Sequence, residues 1–107
     1  MRSFASLRRR AEFAALRRRG RLHSQPTLML YRLASPGTRR AQAGITVDTR
    51  VGKAVVRNTV RRRIAAALHE ALLQRAPERV LVVARPAAAT AGFQRLRGEL
   101  LTAFAAS

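Results

Sequence analysis

The residues between positions 53 and 64 carry the most specific chemistry in this sequence. Five of these twelve side chains are cationic, one is an asparagine, and the apolar residues among them repeat with a helical spacing. On a helix, one side would carry apolar residues suited to a core: Val56, Val60, Ile64, Ala67, Ala71 and Leu72. The opposite side would carry Asn58, Arg61 and Arg62, with Ala65 in its middle and Arg57 at its border. Because guanidinium groups bind phosphate through two parallel hydrogen bonds, this pattern favours contact with a nucleic-acid backbone.

A solvent-exposed charged face is the alternative interpretation of this helix. Such faces normally mix acidic and basic residues, whereas no acid occurs between Arg50 and His69. For Asn58, an unfavourable residue in mid-helix, the alternative is a local hydrogen bond to the backbone. The arginines beside Asn58 favour an RNA contact, and we therefore predict nucleic-acid binding on this face.

The sequence contains no recognisable set of catalytic or metal-binding residues. Its two histidines, His23 and His69, are 46 residues apart without evident carboxylate partners, and the five acidic residues are scattered singly. There is no glycine-rich phosphate loop, and without cysteine there is neither a disulfide framework nor a thiolate metal site. We therefore predict that this chain has no catalytic residue for phosphodiester hydrolysis and no metal site of its own.

The charge of the chain is large and unevenly distributed. Its 107 residues include 22 Lys and Arg against five acids, a formal net charge of +17, and residues 1–63 hold 17 of those cations. Such an excess indicates a polyanionic partner, and its self-repulsion predicts partial disorder without anions. The chain is long enough for one domain, and no apolar run approaches the ~20 residues that cross a membrane. We expect a cytoplasmic protein without membrane contact.

Hydrophobic periodicity predicts a single domain over residues 1–107, with residues 1–6 flexible. Gly20 ends the first predicted helix and Pro77 the second. One sheet covered by helices is the simplest arrangement, for which pattern alone favours a right-handed crossover. The predicted order is α-β-β-α-β-α: helix 6–19, strand 27–33, turn 35–40, strand 43–48, helix 53–75, strand 79–85, loop 86–92 and helix 93–105.

Three landmarks in this sequence resemble the protein subunit of bacterial ribonuclease P. The stretch from Arg50 to Arg62, which reads RVGKAVVRNTVRR, resembles the Arg-Asn-Arg box of that family. The stretch from Leu7 to Gly20 is similar to its basic first helix, and the stretch from Val80 to Ala87 to its last strand and turn. The landmarks occur in the family's order and spacing, and the resemblance covers nearly the whole chain.

The resemblance implies both a fold and a function. The fold would be an α/β (α+β) two-layer sandwich with a left-handed β-α-β crossover, like the second domain of a small-subunit ribosomal protein. The protein would bind the catalytic RNA of ribonuclease P and the 5′ leader of precursor tRNA, and so assist endonucleolytic removal of that leader. The RNA subunit and its Mg²⁺ ions would perform the cleavage, so the protein itself would hold no cofactor. The protein's oligomeric state is left open.

The resemblance also assigns roles to individual residues. The RNA-binding residues would be Lys53, Arg57, Asn58, Arg61, Arg62 and Arg50. The cleft for the leader would be lined by Phe13, Arg17, Met29, Tyr31 and Thr46. From composition alone a core role is favoured for Phe13, although aromatic residues beside cations also stack on single-stranded bases. Five positions depart from the family pattern: Arg17 stands in place of a second cleft aromatic, and Asp48, Thr49, Thr59 and Ala65 stand where Ser, Lys, Arg and Arg are usual.

Two other classes of protein share some of these features. A ribosomal or ribosome-assembly protein would have the same basic surface but neither the leader cleft nor an effect on tRNA cleavage. A cationic protein that lies on a membrane surface fits less well, because the sequence predicts strands and scattered apolar residues rather than one amphipathic helix.

Overall fold

A computed structural model describes residues 2–34 and 39–106 of the chain. Its strands and helices are β1 (Phe4–Ser6), α1 (Arg10–Arg19), β2 (Arg21–Ser24), β3 (Leu28–Ala34), β4 (Ala41–Thr46), α2 (Ala54–Leu72), β5 (Glu78–Ala84) and α3 (Phe93–Ala105), with a 3-10 helix at Pro86–Thr90. The strands form one sheet in the order β1-β4-β5-β3-β2. Most of the predicted turn 35–40 lies outside the described residues.

The strand pairing makes this a mixed sheet. Strands β4 and β5 are parallel neighbours joined through α2, β3 is antiparallel to both β5 and β2, and β1 is parallel to β4. A mixed sheet packed against helices confirms the predicted α+β fold, and α1 additionally covers the second face of the sheet. The left-handed crossover stays a prediction.

The apolar residues of the central strands alternate between the two faces of the sheet. In β5, Val80 and Val82 belong to the main core formed with α2 and α3, whereas Leu81 and Val83 belong to a second cluster formed with α1. Because both faces are covered, residues 80–84 of β5 form a continuous apolar run instead of an alternating one. The helices therefore divide between the two faces, with α2 and α3 on one and α1 on the other.

Gly52 allows the chain to turn from β4 into α2. Its φ of 152° lies in a region that residues with a Cβ atom rarely adopt. Helix α2 then begins at Ala54 and ends at Leu72, three residues earlier than predicted. Its first turn contains no acidic residue, so the positive end of the helix dipole adds to the cationic side chains around it.

The N-terminal segment differs from its predicted structure. Residues 1–6 were expected to be flexible, but Phe4–Ser6 pair with β4, and Phe4 is only 5% exposed. Ser3 fastens this segment to α2, because its backbone N–H donates to Nδ1 of His69 at 2.8 Å and its hydroxyl donates to the His69 carbonyl at 2.7 Å. Helix α1 accordingly begins at Arg10 instead of residue 6, and β2 was also not predicted. Strands of three and four residues are too short to produce a recognisable period in the sequence.

A largely buried carboxylate fixes the start of β3 to α3. Thr27, which has no exposed surface, donates to Oε1 of Glu99 from its backbone N–H at 2.8 Å and from its hydroxyl at 2.7 Å. Arg95 donates to the other oxygen at 3.0 Å. Burial raises the pKa of Glu99, but these hydrogen bonds outweigh that effect and leave the pKa below its ordinary value. The contact holds the strand that carries Met29 and Tyr31.

Candidate nucleic-acid interface

The predicted polar face of α2 is present at its N-terminal half. Asn58, Arg61 and Arg62 are all exposed, and Nη1 of Arg61 donates to Oδ1 of Asn58 at 2.9 Å. This bond leaves the NH₂ group of Asn58 as a donor for a partner. In the part of the chain that the structure describes, Lys53, Arg57, Arg61 and Arg62 form no ion pair. Apart from a longer-range attraction between Arg57 and Asp48, their charge is therefore not neutralised by the described acids, as a surface that binds an anionic backbone requires.

Arg57 and Arg50 flank this face in different ways. Arg57 is half-buried, which confirms its predicted position at the border, and its Nε is buried with no hydrogen-bond partner among the described residues. Arg50 is exposed and paired with Asp48, to which its side chain donates at 2.8 Å and its backbone N–H at 3.0 Å. The hydrogen bond from the Arg50 guanidinium lowers the pKa of Asp48 below its ordinary value. Arg50 is thus the predicted RNA-binding cation whose charge is already partly neutralised.

Ala65 corrects the prediction for the middle of the polar face. It is only 2% exposed and belongs to the main core together with Phe4. Helical angle alone placed it among the exposed residues because β1, which packs Phe4 into this part of the core, was not predicted. Arg63 points elsewhere, since its Nη1 donates to the carbonyl of Ala91 at 3.0 Å before α3. The polar face therefore ends near Arg62.

The predicted cleft residues gather on the opposite face of the sheet, beside α1. Phe13, Met29 and Tyr31 are half-buried and pack in the second apolar cluster. An added Cβ at Gly44 would come within 2.5 Å of Cε1 of Phe13, so the ring lies directly against the β4 backbone. Two residues further along β4, Thr46 shares that face by strand alternation.

Arg17 lies on α1 at the side of this cluster. Its side chain is exposed, whereas its neighbour Leu16 is completely buried. An exposed guanidinium beside a partly open aromatic cluster is suited to a phosphate, while the rings of Phe13 and Tyr31 are suited to bases.

A cavity of about 330 Å³ connects the two predicted regions. Phe13 and Gly44 line it from the cleft side, and Arg61 and Arg62 line it from α2. Arg2 also lines it, although sequence reasoning did not select this residue. The sequence signal for Arg2 was only its charge, because its position depends on the docking of β1.

Two general features of the described residues bear on function. They contain no group of three or more His, Cys, Asp or Glu side chains that could hold a metal ion. Within residues 2–34 and 39–106, no helix is long and apolar enough to span a membrane.

Comparison with known proteins decides the family. Residues 1–106 match the family model for ribonuclease P. The chain belongs to the ribonuclease P protein family. The ribonuclease P protein component of Acidothermus cellulolyticus is 42% identical over 96 residues, which cover 87% of this chain and 79% of that protein. The component from Mycolicibacterium gilvum is 41% identical over 102 residues, which cover 89% of this chain and 79% of that protein.

Solved ribonuclease P proteins share the fold. The protein from Staphylococcus aureus superposes with a TM-score of 0.84 at 19% identity, covering 92% of this chain and 91% of that one. The Thermotoga maritima ribonuclease P protein gives a TM-score of 0.78 at 20% identity, with 91% and 92% covered. Membership of the family implies a role in the endoribonuclease holoenzyme that acts in tRNA 5′ processing, and an RNA partner there.

Proposed function

We propose that this ribonuclease P protein binds the catalytic RNA through the N-terminal half of α2. The observation that carries the proposal is the cationic face centred on Asn58, Arg61 and Arg62, whose arginines form no ion pair with a described carboxylate. Planar guanidinium groups match phosphate oxygens in pairs, and the amide of Asn58 adds a neutral donor. Arg57 and Lys53 extend the surface toward the helix N-terminus, where the dipole also favours anions.

The 5′ leader of precursor tRNA occupies the cleft between α1 and the sheet. Support for this assignment comes from the half-buried rings of Phe13 and Tyr31, which keep surface for stacking on unpaired bases. Met29 and Thr46 complete the cleft, and Arg17 at its side neutralises leader phosphates. Because mature tRNA has no leader, these contacts favour the precursor.

The chemistry of cleavage belongs to the RNA partner. Mg²⁺ is assigned to that RNA, because the described part of the protein offers no cluster of acidic or histidine ligands. The protein's own contribution is positioning and charge: its arginines lower the repulsion between the catalytic RNA and the substrate backbone. The holoenzyme should therefore need a lower Mg²⁺ concentration for cleavage than the catalytic RNA alone.

Reconstitution with ribonuclease P RNA from the same organism tests this function. At low Mg²⁺ the wild-type protein should raise the rate at which the RNA removes a precursor leader, while the protein alone should be inert. Arg61→Gln with Arg62→Gln should weaken assembly, whereas Tyr31→Ala should leave assembly intact and reduce the preference for precursor tRNA. Cleavage by stringently purified RNA-free protein, or the absence of any stimulation, would overturn the proposal.

A further inference from the structure

The cavity of about 330 Å³ beside β4 has the composition of a site for a small anionic ligand. Its apolar lining includes Leu7, Phe13 and Ala65, and its exposed residues include the cations Arg2, Arg61 and Arg62. Among the described residues that line it, none is acidic. Ligand sites range over about 300–1,000 Å³, so this volume suits one small molecule or one unit of a polymer.

The outer edge of β4 adds backbone hydrogen-bonding groups to this cavity. Strand β1 pairs with β4 only as far as Ala43, whose carbonyl accepts from the N–H of Leu7 at 2.9 Å. Beyond this point, from Gly44 to Thr46, no described strand lies beside that edge. Because alternate residues of a strand direct their polar groups to the same edge, the N–H and carbonyl of Ile45 face the side where Ala43 meets Leu7. Ile45 lines the cavity, so a donor and an acceptor lie beside its apolar wall.

The cations at this cavity lack acidic partners within the described structure. None of Arg2, Arg61 and Arg62 forms an ion pair there, and the hydrogen bond from Arg61 goes to neutral Asn58. A ligand that satisfies the whole site needs a flat apolar body, a hydrogen-bonding edge with both donor and acceptor, and a doubly anionic group. A nucleotide combines these three properties.

We propose that this cavity binds one 5′-phosphorylated nucleotide. The base packs against Phe13 and Leu7, its polar edge pairs with the backbone of Ile45, and its phosphate lies between Arg61 and Arg62. The nucleotide comes either from an unpaired position of an RNA strand, which rests on the function proposed above, or from the free nucleotide pool. In both cases the backbone of β4 contacts a base, and this base lies between α2 and the leader cleft.

Nuclear magnetic resonance on the full chain tests the chemistry of the site. AMP is the probe, and ribose 5-phosphate is a control that carries the same phosphate without a base. AMP should shift the Ile45 amide and the ring signals of Phe13, whereas ribose 5-phosphate should shift only the arginine signals. Equal shifts from the two compounds, with the Ile45 amide unmoved, would mean that the guanidinium groups bind anions non-specifically, and would overturn the proposal.

A pair of substitutions at opposite edges of the sheet tests the location. Ser6 is exposed and lines the cavity from β1, while Ser24 is exposed on the other edge strand, β2. Ser6→Leu should fill the cavity and weaken AMP binding roughly tenfold, about 1.4 kcal/mol, and Ser24→Leu should leave it unchanged. Thermal melts of both variants establish that each is folded. A folded Ser6→Leu protein that binds AMP like the wild type would place the nucleotide elsewhere.

Comparison of AMP with a short single-stranded RNA identifies the source of the nucleotide. Tighter binding of the RNA, lost in Ser6→Leu, supports an RNA strand, and equal affinity supports free nucleotide. The reconstituted cleavage assay separates this proposal from the function above. Stimulation of cleavage without an AMP effect on Ile45 overturns only the cavity assignment. An AMP effect on Ile45 without stimulation overturns only the proposed function.

Discussion

The unpaired cations of α2 determine how salt should affect binding to ribonuclease P RNA. Four of them, Lys53, Arg57, Arg61 and Arg62, have no carboxylate partner among the described residues. If each neutralises one phosphate, the logarithm of the association constant should fall by roughly 3 to 4 for each tenfold rise in salt. Contacts from other parts of the protein add to this slope, so it is a lower bound.

Arg62→Gln is the informative perturbation, and Arg97→Gln is its matched control. Both remove one unit of charge, but Arg97 is already bound to Glu70, with its Nη2 at 2.6 Å from the carboxylate. Loss of the unpaired cation should reduce the slope by about 0.7 to 0.9 and cost about 1–3 kcal/mol of binding free energy. Loss of the paired one should change both quantities little, because Glu70 limits what Arg97 offers to phosphate.

Equilibrium binding to the labelled RNA, measured over a series of KCl concentrations, gives both numbers. Circular dichroism at each salt concentration checks that the variants remain folded. Equal changes of slope for Arg62→Gln and Arg97→Gln would show that affinity follows the net charge of the protein, and the α2 interface would then be wrong. A slope near zero for the wild type would indicate apolar docking instead of phosphate contact.

Three further perturbations test the cleft and the framework that positions it. Tyr31→Ala should weaken binding of precursor tRNA by about 1–3 kcal/mol, the range for one lost base stack, and spare mature tRNA in a direct comparison of affinities; equal losses for both would contradict the cleft assignment. Because the folded-state pKa of Glu99 is lowered, Glu99 contributes stability that is present above its unfolded pKa and is lost as the pH falls through its folded value. Glu99→Gln should therefore cost about 1–3 kcal/mol at neutral pH by urea unfolding and less below about pH 4, and a cost independent of pH would contradict an ionised carboxylate at Thr27. Gly44→Ala places a Cβ 2.5 Å from Cε1 of Phe13, so it should displace the ring and destabilise the fold by about 1–3 kcal/mol. Thermal melts measure this loss, and a wild-type melting temperature would show that the ring is not held against β4.

The parts of the fold that sequence predicted are those with a sustained period or a clear boundary. Helix α2 repeats Val60, Ile64 and Leu68 over several turns, and all three have no exposed surface. Strand β1 has no such signal, because three residues are fewer than two strand periods and its neighbour in the sheet lies 37 residues away. Its parallel pairing with β4 is a tertiary interaction that local pattern does not encode.

The residues of the candidate site also differ in how well the sequence predicts them, according to whether their positions depend on local or distant structure. Asn58, Arg61 and Arg62 share an exposed face because their relative positions depend only on helix geometry. Ala65 satisfies the same angular rule but is buried, since its environment depends on a distant segment. The grouping of Phe13, Met29 and Tyr31 came from family resemblance; the three lie in one apolar cluster, and their role in a leader cleft stays a prediction.

The hydrogen bonds between Ser3 and His69 fasten β1 to α2, and docking of β1 should be thermodynamically coupled to ligand binding in the cavity. Strand β1 is a three-residue edge strand held by a short parallel pairing, the Ser3–His69 hydrogen bonds and the buried Phe4 ring, so its local opening should cost less free energy than global unfolding. Phe4 and Ser6 form part of the cavity wall, and a ligand that needs this wall binds the docked strand preferentially. Because this coupling is reciprocal, a saturating ligand in the cavity should slow amide hydrogen exchange at Ala5. The factor should equal the one by which docking of β1 raises the affinity for the ligand. The protection factor of the Ala5 amide would then report whether the cavity is occupied, although the Ala5 side chain does not line that cavity.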